Sequence, residues 1–142
     1  MSNTSNSQSP EYFFGNVIST YSRAQAIADG VLIDPGAIAK EAGIVWPIAI
    51  TAGAWADCVA WTEADSERQV YQDQAGRLWD VIYMASHAIR TCKRQTNELQ
   101  LQVYRVPRDG KSTEPELVTL KMIAGPGDAG EPVITVLLPH ED

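Results

Sequence analysis

A chain of 142 residues, 44% hydrophobic and 20% charged, has the size and composition for one globular core rather than a disordered tail or fibre. Its formal net charge of −7 repels phosphate backbones at long range, which counts against direct nucleic-acid binding. No apolar run of about 18 residues is available to span a membrane, and no basic segment leads into an apolar one as in a secretory signal. The two cysteines, Cys58 and Cys92, read as small buried hydrophobes, so an intracellular, reducing compartment with no membrane partner is expected.

The opening MSNTSNSQSP is polar and of low complexity, so residues 1–11 are expected as a disordered tail and residues 12–142 as a single domain. Ser22 and Gln25 then have capping-box spacing, and Gly30 supplies the left-handed residue that ends a short helix. Asp34-Pro35 is expected to open a second helix, with Asp as N-cap and Pro at its first position, closed by Gly43. Val45 to Ile50 follows as an extended segment. Its Pro47 biases Trp46 away from helix and marks an edge strand or a strand entry. Thr51 can cap a helix reaching about Trp61, and Thr62 to Gln72, charged and unpatterned, is expected as a loop or short strand.

The clearest helix comes next. With Asp73 as its cap, Leu78, Val81, Ile82, Ala85, Ile89 and Cys92 form one apolar stripe at helical spacing. From Leu99 the period changes to two, with Leu99, Leu101 and Val103 alternating with polar neighbours as in a half-buried strand. A loop containing Asp109-Gly110 leads to a second strand over Leu117–Ile123. The loop GPGDAGEP leads to a third over Val133–Leu138. That last strand is apolar on both faces, so it must be covered or paired. Pairing with Val45–Ile50 inside one monomer is favoured, and a symmetric dimer through Val133–Leu138 is the alternative. The fold class is α+β: an N-terminal helical half with a long central helix, packed on a C-terminal antiparallel β-meander.

Chemical motifs are sparse. Gly125 to Gly130 spells G-x-G-x-x-G, but a strand follows instead of the helix whose N-terminus would hold a pyrophosphate. Gly110-Lys111-Ser112 matches the end of a phosphate loop without its first glycine. No cysteine or histidine spacing suits a metal, so neither metal nor cofactor is expected. Cys92 lies beside Lys93 and Arg94, which would lower a thiol pKa, yet its place on the apolar stripe indicates packing. Asp80, Tyr83 and His87 share one helix face at spacings of three and four, where a base and an acid near neutral pH could meet. As ordinary residues they are the wet side of an amphipathic helix.

Two features point toward binding. Residues 90–112 carry Arg90, Lys93, Arg94, Arg105, Arg108 and Lys111 against two acids, a net +4 island in an acidic chain. It suits an acidic partner patch, although cations near a helix C-terminus are also favoured by the helix dipole alone. Trp46, Trp55, Trp61 and Trp79 crowd the centre of the chain. Most must be core, and any left half-exposed is the kind of anchor that interfaces favour. The candidate binding set is Trp46, Trp55, Trp61, Arg90, Arg94, Arg105 and Arg108.

The segment VISTYSRAQAIADGVLIDPGAIAKEAGIVWPIAIT, with AWADC and GRLWDVIYMA, resembles an uncharacterised family of small bacterial proteins found on plasmids, integrative elements and phages. The resemblance covers Val17 to about Val106 and brings no activity, cofactor or site residue with it. It implies a setting of bacterial cytoplasm and mobile-element cargo. The expected function is a non-enzymatic binding protein acting on a host or element-encoded protein, such as an inhibitor of a CRISPR effector or restriction nuclease. The alternative is a small enzyme built around Asp80, Tyr83 and His87.

Overall fold

The computed structural model describes residues 21–141, so the expected polar tail over residues 1–11 lies outside the described residues. The chain begins with helix α1 (Arg23–Ala28), whose N-cap Ser22 accepts a hydrogen bond from Gln25 N. Gly30, at φ 78°, turns the chain into a two-residue strand, β1 (Leu32–Ile33). Asp34-Pro35 does not open a helix. The Asp34 carboxylate accepts the Gly36 N–H in a local turn, Gly36 takes φ 81°, and α2 is a single turn (Ile38–Glu41) capped by Ala37 without a side-chain bond. The Asp side chain satisfied a turn before it could serve a helix, a competition inherent to Asp and Asn.

Strand β2 (Ile48–Thr51) follows, and Thr51 caps α3 (Ala52–Cys58) by accepting the Ala54 N–H. The stretch expected as a loop or short strand contains a further helix, α4 (Glu63–Arg68), held by a capping box between Thr62 and Asp65. Asp73 caps α5 (Gln74–Thr91), the 18-residue central helix. The meander β3 (Glu98–Arg105), β4 (Glu116–Pro126) and β5 (Pro132–Leu137) completes the α+β fold.

The five strands form one sheet in the order β1-β2-β5-β4-β3. β2 runs parallel to β5, with Ile48 opposite Ile134 and Ile50 opposite Val136. The two-faced apolar strand thus has both of its backbone edges paired within the chain, between β2 and β4. β2 is not the sheet edge, because β1 pairs antiparallel on its outer side. Pro47 sits at the entry of β2, where it needs no N–H and its carbonyl accepts from Ile134 N at 2.8 Å. Helix α5 lies across the face that carries Leu101, Val103, Leu120, Met122, Ile134 and Val136, and these join Val81, Ile82 and Ala85 in the main core. The G-x-G-x-x-G segment is the β4–β5 turn. Its Asp128 carboxylate accepts the N–H groups of Ala24 and Arg23, which hold it below the ordinary carboxylate value, so a protein carboxylate caps α1.

Candidate cleft at the end of the central helix

Helix α5 outruns the apolar support beneath it. Its stripe is buried at Val81, Ile82 and Ala85, but Ile89 is exposed and Cys92 half-buried. The chain leaves the helix at Cys92, which takes an extended conformation. On the opposite side Gly43 takes φ 88°, Ile44 turns into the core, and Val45 to Pro47 lie exposed before β2 begins. Between the two lies a cleft of about 420 Å³, floored by Ile44, Leu99, Met122, Ala124 and Ile134. Its volume falls in the range of small-ligand pockets, roughly 300–1,000 Å³.

Polar groups converge on this apolar floor. The buried Ser86 hydroxyl donates to Ala42 O at 2.6 Å and accepts from Arg90 Nη1. The Arg90 guanidinium also lies 5.9 Å from the Tyr83 ring centre, within cation–π range. Tyr83 in turn sits 6.0 Å from Trp79, tilted by 36°. Arg94 lines the cleft as well. No described carboxylate forms an ion pair with Arg90 or Arg94. Val45 is 87% exposed and Trp46 46%, so apolar surface continues from the cleft out over its rim.

The candidate binding set divides here. Trp46, Arg90 and Arg94 come together at the cleft. Trp55 packs against the core instead, and Trp61 is buried with its Nε1 donating to Ser66 Oγ at 2.9 Å. Arg105 pairs with Asp57 at 3.0 Å and Arg108 with Asp65 at 2.8 Å, so both brace the far end of the fold. The arginines of the basic island are therefore two groups: an internal brace, and a pair with no ion-pair partner among the described residues. Ser86 and the Trp79–Tyr83 pair escaped the sequence reading. The spacings of four at Ser86–Arg90 and Trp79–Tyr83 were the available signal.

Asp65 anchors the brace. Burial opposes its charge, but hydrogen bonds from the Thr62 N–H and hydroxyl and the Arg108 guanidinium outweigh that, holding its carboxyl at about 2. The folded value lies below the ordinary 3.8, so its contribution to stability is complete above about pH 4 and is lost as pH falls toward 2. Asp109, held at about 2 by the Ser112 hydroxyl and by the Ser112 and Lys111 N–H groups, adds to the same window. Urea midpoints measured between neutral pH and pH 2 are expected to fall mainly below pH 4. Asp65→Asn should be weaker than wild type at neutral pH and should lose less on acidification. An equal acid slope in the two proteins would rule Asp65 out as the cause.

Asp80, Tyr83 and His87 do not assemble into a set. All three are exposed, and no hydrogen bond joins them. Cys58 is buried, and burial, followed by the Asp57 charge, pushes its thiol up to about 12, so it is not poised as a nucleophile. The Cys92 thiol is bonded to Arg94 O at 3.2 Å. Among the described residues no group of three or more His, Cys, Asp or Glu side chains stands close enough to hold a metal, and no helix is long and apolar enough to cross a membrane.

No curated protein and no solved structure matches the chain. One family model does, over residues 11–142, which takes in every element that builds the cleft. The chain belongs to that family, DUF6573, a family of unknown function.

Proposed function

We propose that the protein is a non-enzymatic binding protein, carried by a mobile genetic element, that engages a host or element-encoded protein in the bacterial cytoplasm through the cleft at the end of α5. One observation carries this reading: Trp46, Arg90 and Arg94 meet at an apolar cavity whose arginines have no described acidic partner. Tryptophan and arginine are the residues that dominate binding energies at protein interfaces. The acid–base alternative at Asp80, Tyr83 and His87 lacks the mutual contacts that proton transfer requires. The resemblance of the Y-S-R-A-Q-A opening to mobile-element proteins supplies the setting. An acidic surface that competes for a basic nucleic-acid channel supplies a physical route to inhibiting a defence nuclease.

The test is affinity capture from a bacterial host lysate with wild type and the exposed-site variants Trp46→Ala and Arg94→Gln. A hot-spot residue contributes about 2 kcal/mol, so a specific partner should be captured some 30-fold less well by each variant. Their thermal midpoints should match wild type. Capture of the same proteins by all three, or of none, would sink the proposal. If the partner is a nuclease, stoichiometric addition of the protein should abolish its cleavage.

A further inference from the structure

We infer that the occupant of the cleft is an extended peptide segment of the partner in which bulky apolar residues alternate with aspartate or glutamate. This rests on the binding reading above and adds the chemistry of what is bound. The floor of Ile44, Leu99, Met122 and Ile134 is apolar and suits an apolar side chain, while Thr96 and Asn97, which also line the cleft, can meet the polar backbone that carries it. Arg90 and Arg94 line the cleft with no ion pair to any described carboxylate, and a planar guanidinium is best satisfied by a carboxylate. Arg90 is also pre-oriented: Ser86, itself fixed on the Ala42 carbonyl, accepts its Nη1 hydrogen bond. A guanidinium already held in place loses less freedom when it meets its ligand.

The occupant is longer than a small molecule because the receptive surface does not end at the cleft. On one side Val45 and Trp46 extend it into solvent. On the other, Arg90 leads to Tyr83 and Tyr83 to Trp79 along the exposed side of α5. This strip of aromatic and cationic groups matches alternating apolar and acidic side chains. A phosphate backbone is disfavoured by the net charge of −7 and would leave the apolar floor empty.

The probe is a hexapeptide alternating leucine or phenylalanine with aspartate, blocked at both ends and titrated into the full-length protein by tryptophan fluorescence and calorimetry. Binding with a Kd of roughly 10 μM is expected. Arg90→Gln and Arg94→Gln should each weaken it about tenfold, the loss expected for one charge-assisted contact, and Arg94→Gln, which removes no contact within the described fold, should leave the thermal midpoint unchanged. Added salt should also weaken it. A matched peptide with asparagine in place of aspartate should bind at least about tenfold more weakly. Equal binding of the two peptides, or of wild type and the arginine variants, overturns the inference. Phenylacetate binding as tightly as the peptide overturns its peptide source, and displacement by single-stranded DNA overturns its acidic–apolar chemistry. If the peptide fails while Trp46-dependent capture from lysate persists, only the ligand class is wrong. If both fail, the binding function itself is wrong.

Discussion

Val136→Lys is expected to leave no folded protein. Val136 is 0% exposed, lies near the C-terminal end of β5, the middle strand of the sheet, and stands in register with Ile50 on one neighbour and Met122 on the other. A lysine there has no route to solvent and no carboxylate among its neighbours in the core. Burying an unpaired ammonium costs several kcal/mol even after the structure relaxes, against a total stability of about 5–15 kcal/mol for an ordinary domain. Circular dichroism and size-exclusion chromatography at neutral pH read the outcome. The control is Glu98→Lys on the exposed side of β3, expected to shift stability by no more than about 0.5 kcal/mol. A folded Val136→Lys protein with a urea midpoint near wild type would show that this strand is not the sheet centre.

The second large effect belongs to Arg77, which is 4% exposed and makes no ion pair with a described carboxylate. Its guanidinium instead gathers backbone carbonyls from separate parts of the chain. Nε donates to Val59 O at 3.1 Å, Nη1 to Val106 O at 2.9 Å and Gln72 Oε1 at 2.8 Å, and Nη2 to Asp57 O at 3.4 Å. The same group lies 4.6 Å from the Trp61 ring centre. It therefore ties the end of α3, the start of α5 and the exit of β3 into one unit. Arg77→Ala leaves the carbonyls of Val59 and Val106 buried without their donor and opens a cavity over the Trp61 ring. With charged hydrogen bonds contributing about 1.5–3 kcal/mol each, the loss should be about 3–5 kcal/mol in urea unfolding. Arg77→Lys should recover less than half of it, because one ammonium cannot span the directions that the planar fork serves. Full recovery by lysine would show that charge, not geometry, holds this junction.

These two positions separate the frame from the working surface. The sheet centre and the Arg77 junction set stability, whereas Trp46, Arg90 and Arg94 line the cleft beside the opposite end of α5 and contact neither of those two positions. That separation is what makes cleft variants interpretable as binding variants.

Much of the frame was legible in the residues because its causes are local. Ser22, Thr51 and Asp73 each cap the helix expected of them, since a short polar side chain beside free N–H groups needs no distant partner. The stripe on α5 and the alternation in β3 expose their periods directly. The apolar Val133–Leu138 segment could not be left as an exposed edge, and β5 indeed has a strand paired along each of its edges. Helix α4 was equally local: the Thr62-x-x-Asp65 box was in view but masked by the charged composition around it.

Tertiary structure alone decided the rest, wherever a residue's role depended on a partner far away in sequence. A strand of two residues has no period to detect, and β1 exists because Thr51 and Ile50 stand opposite it. Composition could not distinguish the four arginines of the basic island. Asp57 lies 48 positions from Arg105 and Asp65 43 from Arg108, and those acids neutralise one pair while nothing described neutralises Arg90 and Arg94. Trp61 and Trp46 likewise looked equivalent until the fold buried the first under Arg77 and left the second on the rim of the cleft. Local sequence determined where helices and strands form, because capping and periodicity act over a few residues. Which side chains remain free to bind was settled by long-range pairing, because a charge or ring is available only when the fold brings it no partner.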